Sequence, residues 1–139
     1  MGAIAVTAAQ VAPVKPLKCD IESYIATEAI AAGQAVYILT TGKVGVADAN
    51  SAGKEQFRGI ALQSVGAGQA VDVLHKGDVY GFTLSGNADS LAYLSDTAGG
   101  LDTSASGSKT VAAGRVVCLP DSPTFTKVLR VFVKLDADW

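Results

Sequence analysis

The sequence predicts a mostly β protein, a small antiparallel barrel or sandwich with helix as a minor component, and three observations carry the prediction. First, one glycine turn is written three times: Ile30-Ala31-Ala32-Gly33-Gln34-Ala35-Val36, Val65-Gly66-Ala67-Gly68-Gln69-Ala70-Val71 and, loosely, Val111-Ala112-Ala113-Gly114-Arg115-Val116-Val117. Second, apolar and polar residues alternate from Cys19 to Ile25 and again from Leu129 to Leu135, the two-residue period of a strand with one wet face. Third, no stretch sustains a helical period, while Gly, Ser, Asn and Asp repeatedly interrupt the apolar runs. The turn copies begin at residues 30, 65 and 111 with unlike sequence between them, so they are a recurring local device and not the repeat of a solenoid.

Gly33, Gly68 and Gly114 are expected to be structural turns, each supplying a positive backbone dihedral ahead of a β-branched strand. Before the first turn, residues 1–18 are set apart as an extended N-terminal arm. Pro13 and Pro16 remove backbone donors and favour extended chain, although the alanines before Pro13 leave a short helix open. The single globular domain, 19–139, begins with a strand in which Cys19, Ile21 and Ile25 share one side and Asp20, Glu22 and Tyr24 the other. Residues 35–39 and 44–47 pair as a hairpin about Thr40-Thr41-Gly42-Lys43. Residues 48–56 have loop composition and are expected to be exposed, after which the chain re-enters the sheet over 57–62.

The second turn launches a strand over 71–75, which is expected to turn at Lys76-Gly77-Asp78 and return through 79–82. Between Ser85 and Lys109 small polar residues predict turns and loops around one apolar patch, Leu91-Ala92-Tyr93-Leu94. A strand at 116–119 follows the third copy and is closed by Pro120 and Pro123. Residues 126–135 are expected to form the longest strand, with Leu129, Val131, Val133 and Leu135 inward and Arg130 and Lys134 outward.

At 139 residues and 14.1 kDa the chain is large enough for one domain with a real core and no disulfide or metal staples. It is 49% hydrophobic but only 6% aromatic, and much of the apolar share is alanine, so a thin core of Val, Ile and Leu is expected. A net charge of −2 and a pI near 5.2 argue against partners recognised through phosphate, so neither nucleic acid nor an anionic membrane surface is expected. No apolar run is long enough for a spanning helix, and a soluble chain is expected. The apolar start lacks basic residues before it and reads as mature sequence, not as a signal peptide. Cys19 and Cys118, each in an apolar-rich segment, are expected to be buried and reduced.

His75 is the only histidine, which limits any catalytic arrangement to a serine with His75 and Asp72 or Asp78. The favoured reading is a strand-end side chain half in solvent. Asp136-Ala137-Asp138 and the Asp20/Glu22 pair have the composition of a hard-cation or paired-carboxylate site, but alternating acids more often mark a strand's wet face. No P-loop, dinucleotide fingerprint or CxxC appears, and no catalytic, cofactor or metal residues are assigned. Lys76-Gly77-Asp78 resembles an integrin-binding triplet and is also an ordinary turn. Trp139 either anchors on a partner or covers the end of the barrel.

Ala31-Ala32-Gly33-Gln34-Ala35-Val36-Tyr37-Ile38, the hairpin Thr41-Gly42-Lys43-Val44, Phe57-Arg58-Gly59-Ile60-Ala61-Leu62 and Ala67-Gly68-Gln69-Ala70-Val71-Asp72-Val73 together resemble the capsid decoration, or cement, proteins of tailed bacteriophages, as does 91–101. The resemblance implies a β-tulip-like barrel without catalysis or cofactor. It implies a virion protein made in the bacterial cytoplasm that binds the outside of an expanded icosahedral head and clamps neighbouring major capsid subunits. A homotrimer is implied, with a dimer as the alternative.

In such a protein the N-terminal arm contacts the shell or a neighbouring subunit, and Ile4, Val6, Val11, Pro13, Val14 and Trp139 are the residues expected there. The alternative is an arm packed back across its own barrel or a sister subunit. Two other classes stay open: a barrel-sandwich carrier or accessory module of an enzyme complex, for which Lys43 and Lys76 are the candidate attachment lysines, and a domain of another phage surface assembly.

Overall fold

Alanine and valine after Gly33 and Gly68 lead directly into the two strands about which the rest of the sheet is wound. The structure, a computed structural model, describes residues 3–51, 53–84, 87–104, 110–120 and 126–133. The strands are β1 Ala3–Val6, β2 Asp20–Ile25, β3 Ala35–Ile38, β4 Val44–Val46, β5 Gly59–Ala61, β6 Ala70–Val79, β7 Phe82–Thr83, β8 Leu91–Leu94, β9 Leu101–Asp102, β10 Ala112–Cys118 and β11 Lys127–Phe132. They form one antiparallel sheet in the order β4-β3-β5-β6-β11-β10-β8-β9-β1-β7, with β2 on the other edge of β6, and the sheet curls strongly into a half-barrel. Strand makes up 47% of the described residues and helix 5%, so the protein is mostly β.

The curl brings Ala26, just past β2, against Val44 of β4 in a parallel bridge. This divides the core in two. Val36, Val44, Ala61, Val71 and Val73 pack together on one side of the central strands, and Ala35, Ile60, Leu74, Val79, Leu129 and Val131 on the other. Both faces of β5, of the start of β3 and of the middle of β6 are therefore buried, which is why Ala35-Val36, Ile60-Ala61 and Val73-Leu74 are apolar without alternation.

Lys76-Gly77-Asp78 is not a hairpin turn. β6 runs through it for ten residues and is the longest strand among the described residues, ahead of the seven of β10 and the six of β11. Its register against β2 steps from Asp20↔Lys76 to Ile21↔Leu74, leaving His75 as the extra residue of a bulge. The bulge and a φ of +135° at Gly77 shift the pleat by one residue, so that Leu74 and Val79 face the same core although five apart. A side chain at Gly77 would begin 2.5 Å from the Cys19 sulfur.

The same two-sided burial alters β2: Ile21 faces one core and Tyr24 the other, while Ile25 is 40% exposed, so Cys19, Ile21 and Ile25 do not form one buried stripe. The expected hairpin at 35–47 is present, with β3 and β4 paired from Val36↔Val46 to Ile38↔Val44. Residues 48–56 are less exposed than their composition suggests, for Ala49 is fully buried and Glu55 only 7% exposed. Leu91–Leu94 is a strand, β8, paired with β10.

Gly33 and Gly68 are turn residues, with φ of +91° and +85°. Gly114 is not: it lies inside β10 at a register shift between Ala112 and Gly114, and a side chain there would collide with the backbone carbonyl of Arg130 on β11. Glycine is needed at 114 for close strand approach, and at 33 and 68 for conformation.

Residues 3–18 have the extended course their prolines ask for, with single 3₁₀ turns at Ala8–Gln10 and Pro16–Lys18. The segment lies on its own barrel. β1 pairs with β9 and β7, Pro13 bridges Val79, and the Val14 N–H donates to the Asp78 carbonyl at 2.9 Å. Expectations for Ser85, Lys109, Pro123, Lys134, Leu135, Asp136, Asp138 and Trp139 lie outside the described residues.

Gly33 and Gly68 separate two reasons for glycine in one motif. Space around a Cβ at Gly68 is open, whereas at Gly33 the Val6 side chain already occupies it. Gly68→Ala should therefore cost only the left-handed backbone, about 1–2 kcal/mol, and Gly33→Ala a further ~1–3 kcal/mol for overpacking. Urea unfolding midpoints in a double-mutant cycle should show Val6→Ala relieving most of that further cost. An unrelieved cost would place Val6 elsewhere.

Candidate interaction surface

Main-chain donors and acceptors determine which parts of the N-terminal segment are committed to the barrel. Thr7 N–H donates to the Gly81 carbonyl at 2.8 Å, and Tyr80 N–H to the Ala12 carbonyl at 2.8 Å. Ile4 and Val11 are half-buried against the larger core, and Val11 fills the space that a side chain at Gly81 would need. Pro13 and Val14 are half-buried along β6. Val6 is 40% exposed, so its outer surface remains available beyond its contact at Gly33.

Between the pairing of Val14 with Asp78 and the start of β2, the chain leaves the sheet in a hook. Lys18 N–H donates to Lys15 O at 2.9 Å, Cys19 N–H to Pro16 O at 3.2 Å, and the Cys19 thiol to Lys15 O at 3.2 Å. These bonds hold the tip residue, Leu17, entirely in solvent at 102% relative exposure. Burial pushes the Cys19 thiol pKa up, outweighing the hydrogen bonds of Lys15 and Asp78 backbone that lower it. A thiol kept protonated is a structural group and a poor nucleophile. Cys19 and Cys118 are both free and half-buried.

Phe132, 51% exposed, is the second large apolar side chain on this side. It lies on the outer face of β11 between two grooves, of about 400 and 470 Å³, both lined by Arg130 and Phe132. The Lys76 ammonium sits 5.7 Å from the Phe132 ring centre, and Arg130 holds Asp78 through Nε at 2.8 Å and Nη2 at 3.2 Å. Those bonds to Asp78 raise the Arg130 pKa.

His75 is not half in solvent. At 7% exposure, its Nδ1 is bonded to the Arg58 carbonyl and its Nε2 lies 2.8 Å from the Tyr24 hydroxyl. A carbonyl can only accept, so Nδ1 carries the proton and, in the neutral ring, Nε2 accepts from Tyr24. Both ring nitrogens are committed. Asp72 accepts from the Ser23 hydroxyl at 2.5 Å and from Gln63 at 3.0 Å, and Asp78 is held by Arg130, so the Ser, His75 and Asp combination is not assembled.

Asp20 and Glu22 are exposed, and no cluster of three or more His, Cys, Asp or Glu suited to a metal occurs among the described residues. Lys43 follows the turn of the β3–β4 hairpin, whereas Lys76, lying within β6, is not at a hairpin tip. Leu17 and Phe132 were not marked by composition or motif. Alternation places Phe132 on the outward face with Arg130, and Leu17 follows a proline between two lysines.

No protein-family model matches the chain, and no curated protein or solved structure matches it.

The Tyr24–His75 pair makes stability depend on pH. Burial raises the Tyr24 pKa above the ordinary phenol value, with the charges of Glu22 and Asp20 adding to it. The folded state then holds the phenol proton more tightly than the unfolded one, so this contribution is complete below the unfolded phenol value and is lost as pH rises through the folded value. Tyr24→Phe should destabilise by about 1–3 kcal/mol at neutral pH by leaving Nε2 unpaired. Denaturant midpoints should show the wild-type advantage shrinking in alkali, and an advantage constant with pH would contradict the pairing.

Proposed function

We propose that this protein is a non-enzymatic structural protein that binds the outside of an icosahedral phage head and stabilises the expanded shell by clamping neighbouring major capsid subunits. The observation that carries the reading is the preformed hook at 15–19, which holds Leu17 wholly in solvent while the chain on both sides is pinned to β6. An aliphatic side chain held out on an ordered turn loses little further entropy when it docks. The mostly β half-barrel and the glycine-turn segments that resemble phage cement proteins support the same reading. So does the commitment of His75 to Tyr24 and Arg58, which removes the chain's only imidazole from general-base work.

Homotrimer formation belongs to the proposal, with Val6 and Tyr80, exposed at 40% and 38% beside the N-terminal segment, as apolar area for a sister subunit or the shell. Head binding then works through number: each site is weak, and many copies around the seams of a shell resist its internal pressure together.

Burying one leucine is worth about 1.5–3 kcal/mol, so Leu17→Asp should weaken binding to purified expanded heads of the cognate phage by at least about tenfold. Its melting temperature should match the wild type because the side chain touches nothing. Co-sedimentation measures the first effect and calorimetry the second. Failure of the wild-type chain to bind heads would overturn the function, and undiminished binding by Leu17→Asp would overturn the role of the hook. Light scattering should give three times the 14.1 kDa protomer mass, at least on the target.

A further inference from the structure

We infer that the groove between the hook and β11 is a docking site for an acidic peptide segment carrying a bulky apolar side chain. The groove, about 470 Å³, is lined by Lys15, Lys18, Lys76 and Arg130 around Cys19, Gly77 and Phe132. Among the described residues its one acidic lining residue, Asp78, is taken by Arg130 through two hydrogen bonds. The described lining thus has a net of three positive charges, although the whole chain has a net charge of −2. Lys15, Lys18 and Lys76 have no carboxylate partner among the described residues. Asp20 stands across the strand pair from Lys76 but outside the groove lining, and the Lys76 ammonium lies over Phe132 instead.

Three lysines set around an exposed ring suit an anionic partner, and the rest of the lining favours carboxylates over a polyphosphate strand. Arg130, the one guanidinium lining this groove among the described residues, already holds Asp78 through Nε and Nη2, so its charge is largely balanced before a phosphate could arrive. A polyanionic strand would also need a longer basic track and more than one stacking surface, whereas this surface offers a single ring in an acidic protein. Separated lysine ammoniums instead match carboxylates spaced along an extended peptide. Phe132, half exposed and capped by Lys76, supplies the apolar floor for one large side chain.

The adjoining groove extends the site. Ala112 and Gly114 keep its floor low, and Arg115 stands on its wall, partnered by exposed Asp89 at 3.7 Å. A peptide crossing Phe132 from one groove to the other would meet Lys15, Lys18 and Lys76 first and Arg115 last. The geometry needs no phage head, so the inference stands or falls apart from the proposed function.

Fluorescence anisotropy of the full chain with a labelled peptide of glutamates flanking one tryptophan tests the site. Saturable binding at low salt, weakened by added salt, is expected. Phe132→Ala, Lys18→Gln and Lys76→Gln should each weaken it about tenfold, while Lys54→Gln, on an exposed loop that lines neither groove, should leave it unchanged. The lysine variants alter exposed side chains and keep the test valid if Phe132→Ala folds poorly. Absence of saturable binding, equal binding by the lysine variants, equal binding of a peptide with glutamate replaced by lysine, or tighter binding of a thymidine oligonucleotide would each overturn the inference.

Discussion

Strand β6 has neighbours on both edges and, in its middle, core on both faces, and the rest of the sheet depends on how it meets that demand. Along one edge it pairs with β2 and, through Pro13 and Val14, with the N-terminal segment. Its other partners are β5, near the start, and β11, near the end. A regular pleat cannot serve both halves, because Val71 and Val73 must face one core and Val79 the other. The bulge at His75 and the positive φ of Gly77 supply the missing half-period. They also turn His75 inward to meet Tyr24 and leave Lys76 and Asp78 on the outer surface beside Arg130 and Phe132. Core division and surface groove therefore have one local cause.

That cause explains which parts were legible in the sequence. The β class, the 35–47 hairpin and the turns at Gly33 and Gly68 follow from local chemistry, since a turn glycine and its β-branched successors act within a few residues. Lys76-Gly77-Asp78 has the same composition as a turn, and only partners far along the chain make it a bulge. Gly114 misleads similarly: its necessity comes from the Arg130 carbonyl on the next strand, a contact that no short-range pattern encodes. Ile25 and Tyr24 exchange their expected places because two-sided burial removes the period on which alternation relies. For the surface, the apolar N-terminal residues were visible by composition. Leu17 and the cluster about Phe132 emerge only when the hook, β6 and β11 are brought together.

The N-terminal segment shows how backbone and side chains divide their work. Its main chain is satisfied by β6, β7, β9 and Gly81, so β1 has partners on both sides and cannot add as an edge strand to a sheet of another molecule without releasing them. Recognition through this segment must therefore use side chains that project from an already folded backbone. Val6 divides its surface between Gly33 and solvent, while Leu17 has given up all intramolecular contact.

A fully exposed leucine beside a lysine-lined groove combines two ranges of interaction. Charges around the groove act over roughly a Debye length, about 8 Å at physiological salt, and bias the approach of an acidic partner. Apolar contact at Leu17 and Phe132 acts only after water has been displaced and governs how long the partner stays. The Arg130–Asp78 pair contributes little net charge to the first stage, but it fixes the outer face of β11 against β6 and so keeps Phe132 over the groove. Because Arg130 is more than half exposed, its bond to Asp78 is worth at most about 1 kcal/mol in stability. Its larger effect is positional: without it the guanidinium could swing toward an incoming carboxylate, leaving Asp78 as an unbalanced negative charge in the groove. The pair thus keeps the site cationic through the lysines, whose flexible ammoniums adapt to carboxylates that a fixed guanidinium fork would have to meet in one geometry.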